Sequence, residues 1–352
     1  MKSFFCFCLM VLLLVIGCSK PPTADELAHA IKESDEAAVK SISQKSPQLL
    51  TVRDANDRLP LEHAVLLGKQ RIAKLLVDSG AKVNQTDSAG ECLTAKAVRS
   101  KDQATLNFIL EEGADPNCAT IHGTPLALAV GLNGDPELAR LLLEKGADVK
   151  AVDKEGRTAL HMAEGSDTIK ILLSKGASVN AADNEGTTPL GQNGSGDFNI
   201  ETAAILIENG ADVNCVNVYG TPVLVAAASG GHADFVQLLI DNNADLNAVD
   251  QQGETALHVV ISWANQAGER IGEYERILRA LLAAGADVNA QAAGSFNASP
   301  LGLAVESSNS SFAAILMAHG ADPHLRDNME QTPMEMAEAS GNMELLNSLK
   351  GL

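Results

Sequence analysis

The sequence predicts an all-α solenoid, a line of nine to ten helix-turn-helix units with extended β-turn fingers between them. Three observations carry this. A helix-opening position recurs at Leu59, Cys92, Thr124, Thr158, Thr188, Thr221, Thr255, Ser299 and Thr332, at intervals of 33, 32, 34, 30, 33, 34, 44 and 33 residues. A helix-closing position recurs with it, at Gly80, Gly113, Gly146, Gly176, Gly210, Asn243, Gly285 and Gly320. Between the two, apolar residues fall at helical spacing around small breakers. A unit this short cannot bury its own apolar face, and repetition lets each neighbour cover the last.

The unit over residues 210–247 shows the elements most clearly. Thr221 can cap a free backbone N–H, and Pro222 at the first helical position gives up a hydrogen bond it would not have made. A short helix is predicted over 222–228, broken by Ser229-Gly230-Gly231. A second, over 233–241, carries Phe235, Val236, Leu238, Leu239 and Ile240 on one broad face. Asn243 stands where sister units carry Gly and suits the left-handed conformation that ends a helix. Ala244-Asp245-Leu246-Asn247 then leads to a turn at Asp250-Gln251-Gln252-Gly253 before Thr255 opens the next helix.

The motifs Thr124-Pro125-Leu126, Thr158-Ala159-Leu160-His161-Met162-Ala163, Thr255-Ala256-Leu257-His258 and Gly285-Ala286-Asp287-Val288-Asn289 resemble those of ankyrin repeats, over about residues 24–350. The resemblance implies two antiparallel helices and a β-turn finger per unit. It further implies a protein partner held on the concave surface of finger tips and first helices. His161 and His258 occupy the family's histidine position, which implies structural hydrogen bonds between neighbouring turns.

Residues 1–17 stand apart: Lys2 is followed by an apolar run over 4–16, too short to cross a bilayer as a helix, and the stretch reads as a signal peptide. Val15-Ile16-Gly17-Cys18 resembles the lipobox of bacterial lipoproteins, which implies acylation of Cys18 and cleavage before it. Residues 18–22 become a lipidated tether and 23–352 the solenoid, with 23–55 a capping unit, 56–328 the repeats and 329–352 a second cap. Ser19 in place of Asp favours the outer membrane by the family's sorting rule, in a cell envelope and facing the periplasm. Thr23-Ala24-Asp25-Glu26 matches a capping box that starts the first helix, with Leu27, Ala30 and Ile31 facing inward.

Without residues 1–17 the formal charge goes from −19 to −20, because Lys2 is the one charged residue removed. So acidic a chain is a poor binder of nucleic acid, and a basic protein is the better electrostatic partner. Three cysteines remain after Cys18. Cys118 and Cys215 lie three repeats apart, beyond the roughly 7 Å that a disulfide spans between Cα atoms. No structural disulfide is expected; Cys92 with Cys118, in adjacent repeats, is the one pair left open, and burial as small apolar side chains is preferred.

Irregularities follow the same landmarks. Leu59 and Cys92 open their units without a capping hydroxyl, which makes those repeats the softer ones. Thr158 to Gly176 is four residues shorter than Thr124 to Gly146, so one helical turn is lost near Glu164-Gly165-Ser166-Asp167 without breaking the stack. Gly191, Gly194 and Gly196 make the first helix of the next unit short. About eight residues are inserted over 263–274 and three over 292–296. Insertions in repeat proteins gather on binding faces, and this one holds Trp263, Arg270 and Tyr274.

No zinc, calcium, HExxH or GxSxG pattern is complete; Asp153-Lys154-Glu155-Gly156 and Asp183-Asn184-Glu185-Gly186 read as finger turns. The reading is a non-enzymatic protein-binding module that needs no cofactor, metal or small-molecule substrate and is anchored by lipid on Cys18. Its alternative is an inhibitor or immunity protein against an envelope toxin or hydrolase. The residues assigned to the partner are Lys154, Glu155, Arg157, Asn184, Glu185, Tyr219, Gln251, Gln252 and Glu254 on the fingers, with Trp263, Arg270 and Tyr274 in the insertion.

Overall fold

The computed structural model describes residues 21–131, 134–192, 199–294 and 297–350. The signal segment, Cys18, Ser19 and the glycines at 194 and 196 lie outside the described residues. Contacts gather into two units, Met1–Ile121 and His122–Leu352. Among the described residues the regular structure is helical, with isolated β-bridges closing several fingers.

The first unit contains α1 (Ala24–Lys32), α2 (Glu36–Lys45), a 3-10 turn (Pro47–Thr51), α3 (Pro60–Leu66), α4 (Gln70–Asp78), α5 (Leu93–Ser100) and α6 (Gln103–Glu111). First helices stack as α1, α3, α5 and second helices as α2, α4, α6. The capping box of α1 forms as read: the Glu26 N–H donates to the Thr23 hydroxyl at 3.2 Å and the Thr23 N–H to the Glu26 carboxylate at 3.1 Å. Leu27, Ile31, Leu76, Leu106 and Ile109 are fully buried between the layers, and each such side chain contributes roughly 1.5–3 kcal/mol by leaving water.

At Leu59, where no hydroxyl can cap, the Glu62 carboxylate accepts the Leu59 N–H at 2.9 Å, so that helix start is satisfied from its third residue. Cys92 and Cys118 are disulfide-bonded, with Cα atoms 6.3 Å apart, where small buried thiols had been preferred. Cys92 sits at the opening of one repeat and Cys118 at the base of the next finger, and stacking brings the two places within bonding reach.

The second unit contains α7 (Pro125–Gly131), α8 (Pro136–Glu144), α9 (Ser166–Ser174), α10 (Pro189–Gln192), α11 (Ile200–Glu208), α12 (Val223–Ser229), α13 (Ala233–Asp241), α14 (Ala256–Ala264), α15 (Ile271–Ala283), α16 (Pro300–Glu306), α17 (Ser310–Ala318), α18 (Pro333–Ser340) and α19 (Met343–Lys350). The helix α13 matches its reading, with Phe235, Val236 and Leu239 buried, and Asn243 ends it at φ +64°. Start and cap differ for α12: Pro222 is the N-cap, no side chain caps the helix, and the Thr221 N–H is held by Asn217 at 3.0 Å.

The shortened repeat departs further from expectation. Residues 158–163 form two turns instead of a helix, with bonds from His161 to Thr158 and from Met162 to Ala159. The Glu164 N–H then docks on the Val130 carbonyl at 2.9 Å, and second helices α8, α9 and α11 carry the stack across the gap. The inserted residues of the Thr255 repeat become helix: α14 has nine residues and α15 thirteen, against seven and nine in α12 and α13, and a 3-10 turn (Gly268–Arg270) joins them.

Candidate partner-binding face

The fingers of the second unit are built by one device. The side chain of Asp153, Asp183, Asn217 or Asp250 accepts the N–H groups two and four residues on, at 2.8–3.0 Å, and so folds its own turn. Backbone bonds then tie three neighbouring pairs of fingers. The Asn184 N–H donates to the Glu155 carbonyl at 2.9 Å, Val218 to Glu185 at 2.5 Å and Gly294 to Gln252 at 2.6 Å. Approach is close enough that a Cβ on Gly156 would stand 2.5 Å from the Asn184 side chain. These are turn fingers, as read, and bonds between neighbours hold several of their tips together.

The structure places the assigned residues unevenly. Lys154, Glu155, Asn184, Glu185, Gln251 and Gln252 are exposed at the tips. Asn184 also bonds the Lys154 carbonyl at 2.9 Å, so it ties two fingers as well as facing outward. Arg157 is half-buried, bonded to Asp153 at 2.9 Å and to Glu155 at 3.3 Å, and Glu254 is half-buried below its tip. Tyr219 is 57% exposed, with its hydroxyl 3.5 Å from Glu185.

In the insertion, Trp263 is 47% exposed, whereas Tyr274 is buried and donates its hydroxyl to the Ser229 carbonyl at 2.8 Å. Arg270 donates to the Gly230 carbonyl at 2.7 Å. Arg270 and Tyr274 thus close the C-terminal end of α12, leaving Trp263 as the member of this trio whose ring faces solvent.

Two features escaped the sequence reading. Val152, Val216 and Val249 immediately precede the turn-folding residue of their fingers, and all three are more than half exposed, as is Val218 beside Tyr219. Solvent-facing valines thus recur at this position in three of the four fingers, with the small apolar Ala182 in the fourth, and set apolar surface among the polar tips. The signal in the sequence is the apolar residue before each turn-folding Asp or Asn: Val152, Ala182, Val216 and Val249. The second feature is electrostatic. Residues 122–352 hold twelve Lys and Arg against thirty Asp and Glu, a net of −18, and between Lys175 and Arg270 there are twelve acidic residues and no Lys or Arg. Arg276 pairs with Asp234 at 2.7 Å and Arg279 with Glu275 at 2.7 Å, so these arginines of α15 answer acids of this same unit.

Behind the fingers, two buried histidines join turns. The Thr158 N–H donates to His161 Nδ1 at 3.0 Å while Nε2 bonds the Thr187 carbonyl at 3.0 Å. His258 repeats this with Thr255 at 3.2 Å and the Ala298 carbonyl at 3.2 Å. An Nδ1 that accepts and an Nε2 that donates define a neutral ring, and burial accordingly pushes both histidines below their ordinary pKa. Asn180, Asn214, Asn247 and Asn289 add a second seam, each accepting the N–H of the Asp that begins the next loop, at 2.8–2.9 Å.

A family model described as ankyrin repeats (3 copies) matches residues 94–190 and 194–292, more than half of the chain. Among curated proteins, the human BCL-6 corepressor-like protein 1 is 30% identical over 150 residues, 42% of this chain and 8% of that protein. Human Rabankyrin-5 is 30% identical over 160 residues, covering 41% of this chain and 14% of that protein. Human ankyrin repeat and SOCS box protein 6 is 38% identical over 106 residues, 28% of this chain and 25% of that protein. In each case this chain spans a quarter or less of the relative's length.

Proposed function

We propose, from the premise that this chain belongs to the ankyrin-repeat family, that it is a binding module holding a basic protein partner on the fingers of residues 122–352. The observation that carries this is the joining of exposed apolar surface to an uncompensated negative field: Val152, Val216, Val218, Tyr219 and Val249 stand exposed, and no Lys or Arg occurs between Lys175 and Arg270. Desolvated apolar contact supplies affinity, while the surrounding carboxylates select a cationic partner and speed its approach. Because several of the fingers are already tied to their neighbours, little ordering entropy is lost when the partner docks.

The module is tethered, in this proposal, by lipid on Cys18 in a bacterial cell envelope facing the periplasm, with the outer membrane favoured by Ser19. The Cys92–Cys118 disulfide supports an oxidising compartment, since such bonds persist outside reducing cytosol. Cys18→Ala tests the tether: the protein should leave the membrane fraction, and its retention there would remove the lipid from the account.

A photo-crosslinking residue placed at Tyr219 in cells tests the face. The proposal expects one recurrent protein adduct, absent when the same group replaces Lys40, and lost when Glu185→Lys is added. A recovered hydrolase or toxin whose activity falls in the complex would define the module as an inhibitor. Adducts identical from Tyr219 and Lys40 would dismiss the finger face as the docking surface.

A further inference from the structure

The first unit contains a cavity of about 370 Å³, lined by Asp25, Ala28, His29, Lys32, Asp54, Asn56, Arg58, His63 and Leu67, well away in sequence from the fingers discussed above. It lies between α1, the finger that folds on Asp54, and α3. Its chemistry follows from which groups are already engaged.

Both acids in the wall already accept hydrogen bonds, while keeping their charge. Asp54 accepts the Asn56 N–H at 2.9 Å, the Arg58 N–H at 3.0 Å and the His63 ring at 2.6 Å. Burial would push this carboxyl up, but those hydrogen bonds, led by the Arg58 N–H, hold it down at about 2. Asp25 accepts the Ala55 N–H at 3.2 Å. The cations are not engaged: among the described residues, the side chains of Lys32 and Arg58 make no hydrogen bond or ion pair, and neither does the His29 ring. Nor do the described residues contain a group of three or more His, Cys, Asp or Glu that could hold a metal ion. What the cavity offers a visitor is therefore donors from Lys32 and Arg58, with His29 and the apolar Ala28 and Leu67 in the same lining.

We propose that this cavity binds a small organic phosphate monoester, with its phosphate between Arg58 and Lys32 and its apolar stem against Ala28 and Leu67. A dianionic oxyanion uses two cations where a carboxylate uses one, and the planar fork of Arg58 matches two of its oxygens. The near-neutral balance of residues 1–121, fourteen Lys and Arg against fifteen Asp and Glu, lets an anion approach here when the strongly acidic unit would repel it. The volume suits a ligand of small-metabolite size. A free monoester and the headgroup of phosphatidic acid present the same chemistry.

Titration calorimetry on the full chain with phenyl phosphate tests this. The expected result is saturable one-site binding with Kd below about 1 mM. Lys32→Gln with Arg58→Gln should weaken it at least about tenfold, Arg58→Lys should weaken it in part, and Lys40→Gln should leave it unchanged. Benzoate should bind at least about tenfold more weakly than phenyl phosphate. Vesicles of phosphatidylcholine with phosphatidic acid that compete for the site identify the lipid as the source; vesicles that do not compete leave the free monoester. The two substituted side chains are exposed, and an unchanged melting temperature verifies that the variant used keeps its fold. No saturable heat up to about 10 mM, equal binding of benzoate, or undiminished binding by the double variant would overturn the proposal.

Discussion

The two units join their repeats at equivalent places by different chemistry. In residues 122–352 the position three after the helix opening carries, in two repeats, His161 and His258, neutral rings that bond an amide on one side and a carbonyl on the other, while Glu335 there caps Thr332. In residues 1–121 the same position carries Glu62, a buried carboxylate that caps Leu59 and pairs with Lys96 at 3.4 Å, while Lys96 reaches Asp87 at 2.7 Å. The disulfide then links that second opening to the following finger. One fold thus tolerates a neutral join and an ionic, covalently reinforced one. The neutral join leaves the surface charge of the acidic unit free to act outward, and the ionic join makes the other unit sensitive to charge and to reductant.

The largest effect should come from breaking the ionic join. Lys96→Met leaves Asp87 without its cation and Glu62 with only Arg53 at 3.7 Å, and removal of one partner from a buried pair costs about 4 kcal/mol. Denaturant unfolding followed by hydrogen exchange should show the loss across α3 and α5 and little change across α12 to α15; uniform loss would erase the contrast. Reduction comes next. Opening a loop whose ends are 26 residues apart should destabilise the first unit by about 3 kcal/mol, read as lower protection of α5 and α6 in dithiothreitol.

Much of this fold can be read in the sequence, because local rules set its landmarks. A left-handed Asn243, the Thr23–Glu26 box and the finger-folding Asp residues depend on near neighbours alone. What could not be read depends on distance across the stack. Cys92 and Cys118 pair because stacking places an opening beside a finger, and Arg270 and Tyr274 reach carbonyls some forty residues upstream. Residues 158–163 keep an opening motif yet lack the length to complete a helix, so tertiary docking of Glu164 on Val130 replaces local propensity. On the candidate face the polar tips were legible and the valines were not, since alternation in a finger does not say which neighbour covers a side chain.

Acid should separate the units by a smaller margin. The folded pKa of His161 and His258 lies below the ordinary 6.5, so the folded state binds fewer protons there than the unfolded chain. Their contribution is complete above pH 6.5 and declines as pH falls below it, by at most about 1.4 kcal/mol per pH unit for each histidine. Asp54 in the other unit retains its contribution until pH falls below 3.8 and loses it toward about 2. Hydrogen exchange at pH 7, 5.5 and 4.5 should therefore weaken α14 before α3, and the reverse order would refute the neutral-ring reading. The smallest stability effect belongs to the exposed finger valines: Val249→Ser, at an exposed site, should change unfolding free energy by less than about 0.5 kcal/mol, and a larger loss would make that valine part of the packing instead.

The finger face itself is tested most directly by the affinity of the partner captured through Tyr219, measured for the native chain and for Val216→Ser, Val218→Ser, Tyr219→Ala combined, at low and high salt. The account predicts at least about tenfold weaker binding with an unchanged melting temperature, and native-chain binding that weakens as salt rises. Equal affinity of the two chains, with no dependence on salt, would contradict it.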